Sequence, residues 1–434
     1  MAAIRGWVAA VAVTCGAMLA AASIPAAAAA PVGLIAVGGA RPAAPAIPQP
    51  PTQLFGVFCT STANCWAVGD VRDGTADANQ MLHWNGKSWH GVVVPNPAGT
   101  SGDAVNELYA VRCLTGNDCW AVGTTTKTGG TYFAEALHWN GKRWSTEPVP
   151  QPGGTAAGDV TSLSDSVCVS ARNCWAVGGY GLDESGDIRV ANLVLRWDGK
   201  RWSKAGGIPN PAGTGTGRAN FLDGVRCFSS TSCVADGENL SVPPASTVGI
   251  RNEALRWNGR KWSKQSVPNP GGTGDNQDND LVGLACGSSR SCWGVGFYGG
   301  TEPTQTSLNE ILHWNGSKWA PAKSVPDPGG TGAGAFNELE GATCSSTGNC
   351  WALGSYATTS GAKLNEALHW SGRKWRLVRT PNPGGTLADE SNTLNAARCA
   401  VPSDCWAVGS AAHGNGVLQN EILHWNGKKW TVYK

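Results

Sequence analysis

The chain has 434 residues, a formal net charge of +2, 15% charged residues, 59 glycines, 15 cysteines and 21 tryptophans. A charge this balanced excludes a nucleic-acid partner held by overall electrostatics. Beyond residue 30 no apolar run approaches the roughly 18 residues of a membrane-spanning helix, so no membrane insertion is expected.

Residues 1–29 read as a signal peptide: Arg5 gives a short positive start, residues 7–22 an apolar stretch, and residues 27–30 the small side chains of a cleavage site after Ala29. Loss of Arg5 takes the net charge from +2 to +1. Residues 30–52 form a Pro/Ala-rich leader without an aromatic residue. The expected localisation is secreted and extracellular.

Residues 53–434 are built from seven repeats, at about 53–97, 98–152, 153–211, 212–270, 271–328, 329–383 and 384–434. Each carries a Cys-x5-Cys pair: Cys59 with Cys65, Cys113 with Cys119, Cys168 with Cys174, Cys227 with Cys233, Cys286 with Cys292, Cys344 with Cys350, and Cys399 with Cys405. Trp-Ala-Val-Gly or a near copy follows the pair. About twenty residues later comes Leu-His-Trp-Asn-Gly-x-x-Trp, and Pro-Asn-Pro-Gly-Gly-Thr introduces the next repeat. All 20 tryptophans outside the signal fall into three columns: after the second cysteine, inside the Leu-x-Trp strand, and closing the Asn-Gly turn.

Each repeat offers four short strands, A to D, predicted in the second repeat at 108–113, 119–123, 135–139 and 144–149. One such unit cannot bury two apolar faces, whereas a ring of units covers every face. The expected fold is therefore all-β: a seven-bladed β-propeller with four antiparallel strands per blade and one intra-blade disulfide. The cysteine spacing suits staples across strands A and B in an exported protein, and it does not match zinc-ligand spacing.

At its Trp-Asn-Gly-x-x-Trp turns, of which Asp198-Gly199-Lys200-Arg201-Trp202 is one copy, the chain resembles Asp-box and kelch-like propellers. With its cysteine pairs, the mature chain resembles the secreted repeat proteins of actinobacteria. The resemblance implies a fold and carries no activity.

In a propeller the A–B and C–D turns share one face, and the B–C and D–A loops share the other. The C–D turns carry Lys87, Lys142, Arg143, Lys200, Arg201, Arg260, Lys261, Lys318, Arg373, Lys374, Lys428 and Lys429, which predicts a basic ring able to hold an anionic wall polymer. The loop face collects acids. Its variable B–C segments, 179–191, 238–251 and 297–308, are the expected place for function. Repeat 4 departs most from the pattern: Val234 replaces the column tryptophan, and Asp236 and Glu238 enter the apolar run. The candidate binding residues are Asp236, Glu238, Tyr180, Tyr298 and Glu302.

A recurrent Asn-Glu pair before strand C reads as structural, with its side chains bonding nearby backbone; a ring of such carboxylates could alternatively hold Ca²⁺, the one cofactor considered. Five of the seven histidines share one repeated strand position, and no catalytic constellation is identifiable. The chain thus reads as a monomeric binding scaffold for an extracellular glycan, wall polymer or protein. The alternative is a carbohydrate-active enzyme, hydrolase or lyase, on the same loop face.

Overall fold

Two cysteines five residues apart, separated by a tight turn, hold the strands that carry them side by side. In the first repeat Cys59 pairs directly with Cys65 across a hairpin whose last pair is Ser61 with Asn64. The computed structural model describes residues 50–127, 130–184, 187–241, 249–300, 305–414 and 416–433. The expected signal peptide, most of the leader and Glu302 lie outside the described residues. Among these residues there are 28 strands and no helix.

All seven expected cysteine pairs form disulfides. Cys59 is bonded to Cys65, Cys113 to Cys119, Cys168 to Cys174, and Cys227 to Cys233. Cys286 is bonded to Cys292, Cys344 to Cys350, and Cys399 to Cys405. Each staple joins strand A to strand B of one repeat, as the spacing predicts.

The strands fall into seven consecutive units of four. In the first, strand A (Thr52–Ser61) pairs with B (Asn64–Asp73), B with C (Ala76–Trp84), and C with D (Trp89–Gly91), all antiparallel. The remaining A strands are Val105–Thr115, Asp159–Ser170, Arg218–Ser229, Gln277–Ser288, Asn337–Ser346 and Ser391–Val401. Strands A, B and C are longer than the sequence pattern suggests, and D is shorter. It covers three residues in every repeat, only Trp144–Thr146 in repeat 2.

The B–C segments expected as long loops are largely paired. Residues 179–184 pair with 187–192, Glu238–Ser241 with Gly249–Asn252, and Phe297–Gly300 with Thr306–Asn309. The inserted residues lengthen hairpin arms, which satisfies their backbone groups where an open loop would leave them to solvent. Glu238 is therefore a strand residue.

Each strand A contains a bulge just after a fully buried leucine, between Leu54 and Gly56 in repeat 1. The next residue faces the neighbouring strand A at close range: a Cβ on Gly56 would lie 2.7 Å from the Tyr109 carbonyl oxygen, and one on Gly341 2.5 Å from that of Asn395. Consecutive A strands pack together around the molecule, and Thr52–Ser61 packs against Ser391–Val401, which completes a cycle. The hydrogen-bonded sheets remain open; side-chain packing closes the ring.

That packing repeats one wedge. Trp66 of repeat 1 inserts between Trp139 and Trp144 of repeat 2, with ring centroids 5.1 and 5.3 Å away. Trp120, Trp175, Trp293 and Trp351 do the same to the repeats that follow them. Trp406 of the last repeat meets Trp84 and Trp89 of the first at 4.8 and 5.3 Å.

The Asn-Glu column forms a second inter-repeat contact. Asn79 Nδ2 donates to Glu135 of the next repeat at 3.2 Å, Asn252 to Glu310 at 2.5 Å and Asn309 to Glu366 at 2.6 Å, with Asn192 to Glu253 and Asn365 to Glu421 in the same arrangement. Between repeats 2 and 3 both partners are replaced, by Ala134 and Leu193. The same asparagines donate to a proline carbonyl of their own repeat, as Asn79 does to Pro95 at 2.9 Å. The structural role expected of this column thus extends across repeat boundaries.

Candidate functional site

Strand A gives the inner wall two chemically different ends. The residue before each first cysteine, close to the disulfide, is Phe58, Arg112, Val167, Arg226, Ala285, Thr343 or Arg398 in repeats 1 to 7. Five positions earlier, about 15 Å along an extended strand, stand Gln53, Glu107, Ser162, Phe221, Asp280, Glu338 and Thr393.

Carboxylates collect at this second end, towards the B–C hairpins, in two groups. Between repeats 1 and 2 the Tyr109 hydroxyl donates to Glu107 at 2.6 Å, and Arg72 grips Asp77 through two bonds of 2.7 and 3.0 Å. Burial, then the charge of Glu107, pushes Asp70 up to about 7.

Between repeats 4 and 5, Glu238 on strand B (Ser232–Ser241) lies within electrostatic reach of Asp223 and Asp280. Burial first, then those two neighbours, holds Glu238 well above the usual carboxyl range. Asp278 is pushed up to about 6 by burial and Asp280. Among the described residues no group of three or more His, Cys, Asp or Glu is arranged to hold a metal ion. The Asn-Glu carboxylates considered for Ca²⁺ are engaged by asparagine side chains.

The cysteines contribute position and no chemistry. Cys65, Cys119, Cys174, Cys233, Cys292, Cys350 and Cys405 are each the second residue of a strand B, and all seven are buried. Each stands opposite the strand-C tryptophan of its repeat, as Cys65 does Trp84 and Cys405 does Trp425. Bonded to their partners on strand A, they offer neither a nucleophile nor a metal ligand.

Asp236 stands where the other repeats place Val68, Val122, Val177, Val295, Leu353 and Val408. It is fully buried, and neither carboxylate oxygen has a hydrogen-bond partner. Burial, followed by the charge of Asp223, pushes it up to about 8. Repeat 5 accommodates it: Gly294 replaces the alanine of the other repeats, and a Cβ there would lie 3.2 Å from Asp236 Oδ2. With Val234 in place of the wedge tryptophan, Arg256 reaches over Trp314 of the next repeat, 5.4 Å from its ring centroid.

The structure thus puts two candidate residues, Asp236 and Glu238, on one strand and leaves the tyrosines apart from them. Tyr180 accepts a hydrogen bond from Lys204 of its own repeat at 2.8 Å. The charged neighbours of Tyr298 are Asp327 and Glu310.

Sequence reasoning missed the disulfide end of the wall. Asp165 accepts from Arg112 of repeat 2 at 3.0 Å and from Arg226 of repeat 4 at 2.6 Å. Arg398 of repeat 7 lies over the Phe58 ring at 4.2 Å, and its Nε has no hydrogen-bond partner. Burial lowers Arg112 and Arg398 to about 10, and the other arginines of the group oppose both charges. Comparing columns could have revealed this group, because Asp165 occupies a position that is glycine or alanine in the other six repeats.

The C–D turns lie beside the A–B turns. Trp84 Nε1 donates to the Thr62 carbonyl at 3.0 Å, and five other repeats have the same bond. Asn85 Oδ1 caps its turn by accepting from the N–H groups of Lys87 and Ser88, and Asp198 does the same for Lys200 and Arg201. All twelve turn cations are exposed.

No protein-family model matches the chain, and no curated protein does. Among solved structures it is similar to the β-propeller domain of the Trilobed protease from Pyrococcus furiosus, described as an open velcro topology, at 9% identity over 88% of this chain and 95% of that one, TM-score 0.47. It is similar to Pyrococcus horikoshii acylaminoacyl peptidase at 11% identity over 86% of this chain, TM-score 0.44; the match spans only 50% of the peptidase. Penicillium chrysogenum alpha-L-arabinanase complexed with arabinobiose is similar at 10% identity over 72% and 91% of the two chains, TM-score 0.40. The functional reading rests on the residues of this chain.

Proposed function

We propose that the protein is an exported, seven-bladed β-propeller with four strands per blade, and that it binds an extracellular glycan at the hairpin-bearing end of its inner wall. The grouping of Glu238 with Asp223 and Asp280, buried carboxyls from two adjacent repeats, carries this reading. Carboxylates converging from two repeats offer paired acceptors for neighbouring hydroxyl groups, and the packing of Val234 with Leu281, Leu284, Trp314 and Trp319 beneath them supplies a support. Seven disulfides suit an oxidising compartment. Among the described residues no helix is long and apolar enough to cross a membrane.

The second reading is a glycoside hydrolase or lyase. Its support is a carboxyl group whose pKa is raised by burial and by two carboxyl neighbours, the pairing that acid–base cleavage of a glycosidic bond uses. A glycan array with the wild-type protein and the Asp280→Asn and Glu238→Gln variants tests the binding reading. Retention of a glycan that falls at least tenfold in the variants supports it. Retention unaffected by either substitution, or no glycan retained at all, overturns it.

A further inference from the structure

The arginines at the disulfide end of the wall come from repeats 2, 4 and 7, which are not neighbours in the ring. Their side chains can approach one another only by leaving their own blades and reaching into the space enclosed by the A strands. They do so: Arg112 and Arg226 meet on Asp165, and Arg112 and Arg398 flank Phe58 at 5.9 and 4.2 Å.

Three positive charges there share one ion-paired carboxylate, Asp165, which is fully engaged. Its Oδ1 takes Arg112 at 3.0 Å; its Oδ2 takes Arg226 at 2.6 Å and the Val225 N–H at 3.3 Å. The other acid within electrostatic reach of Arg226 is Asp236, whose pKa burial raises to about 8. Among the described residues no carboxylate pairs with Arg398. A structural ion pair would have needed one arginine for one aspartate. Two surplus guanidinium charges in a partly enclosed space repel each other, and a multivalent oxyanion relieves that repulsion while using the planar donor fork of each side chain. The space lies at the end of the molecule where the exposed turn cations raise the local concentration of anions.

We propose that Arg112, Arg226 and Arg398 form an oxyanion site on the ring axis whose ligand is a phosphoryl group. The group is carried either by inorganic phosphate or by a phosphate-containing polymer. This site is separate from the carboxylate wall and does not depend on the glycan reading.

Titration calorimetry at low ionic strength, with inorganic phosphate in one arm and a glycerol-phosphate oligomer in the other, tests the proposal on the full chain. Arg398→Met keeps the packing on Phe58 and removes the charge; Arg398→Lys keeps the charge and removes the fork. Melting curves establish that both variants are folded. Should Arg398→Met fail to fold, Arg398→Lys decides alone.

The expected result is saturable binding in at least one arm, weakened at least tenfold by Arg398→Met and severalfold by Arg398→Lys. Binding of phosphate identifies a free anion as sufficient, and binding of the oligomer alone identifies the polymer as the source. Absence of binding in both arms overturns the site. So does binding that both folded Arg398 variants retain in full, which would place the anion on the exposed turn lysines.

Discussion

Trp406 in the last repeat packs 4.8 Å from Trp84 in the first, in the same geometry that joins Trp66 to Trp139 and Trp351 to Trp425. The final interface is therefore a copy of the internal ones, and among the described residues the ring closes by packing, with no strand shared between its ends. Trp406→Ala should cost about 3–5 kcal/mol in urea unfolding, the usual range for a buried tryptophan. A ring open at this point would leave Trp406 at the surface, and the loss would fall within about 0.5 kcal/mol.

A second contact, a hydrogen bond, joins the seventh repeat to the first. In repeat 1 the N–H of Asn79 donates to Asn96, whereas in repeat 7 the N–H of Asn420 donates to the Thr52 hydroxyl at 2.9 Å. Thr52→Val keeps the shape and removes the acceptor. It should lower stability by about 1 kcal/mol, and melting curves would detect a change of that size; an unchanged transition would show that the contact contributes nothing.

Asp236→Val restores the residue type of the other repeats and removes a buried group without a hydrogen-bond partner. It should stabilise the fold by about 1–3 kcal/mol. The gain also has a pH signature. The folded chain holds the Asp236 proton up to about pH 8, against an ordinary value of 3.8. The stability this carboxyl contributes is intact below the lower value and is lost as pH rises through the upper one. The gain from Asp236→Val should therefore be larger at pH 8 than at pH 5, and an equal gain at both would contradict a buried, protonated Asp236.

How much of this was legible in the sequence depended on whether a feature recurs within one repeat. The disulfides, the wedge tryptophans and the Asn-Gly turns recur every 54 to 59 residues and could be read directly. Asp236 and Glu238 stood out because they break a column. Arg112, Arg226 and Arg398 looked ordinary one by one, because closure of the ring, invisible to a local pattern, is what brings them together; Asp165, which breaks a column of glycine and alanine, was the one sequence signal of the group. The B–C insertions read as loops because their polar residues and glycines hide the pairing that extends each hairpin.

The same linkage acts on the inter-repeat clasps. Burial raises Glu135, Glu253, Glu310 and Glu366 well above the ordinary carboxyl value of 4.5, and Glu421 to about 8. Their contribution is complete below pH 4.5 and declines as pH rises towards 8 and beyond, so the melting temperature should be higher at pH 5 than at pH 8. Glu421→Gln keeps an acceptor for Asn365 and removes the titrating proton. It should flatten this dependence, and a melting profile as steep as wild type would count against the assignment.

The central claim is that the carboxylate wall of repeats 4 and 5 binds a glycan without cleaving it. Mass spectrometry of a retained glycan, after prolonged incubation with the protein between pH 5 and pH 8, tests this most directly. The account predicts a ligand recovered at unchanged mass. Shortened or unsaturated products that disappear with Glu238→Gln would contradict it and make the protein an enzyme.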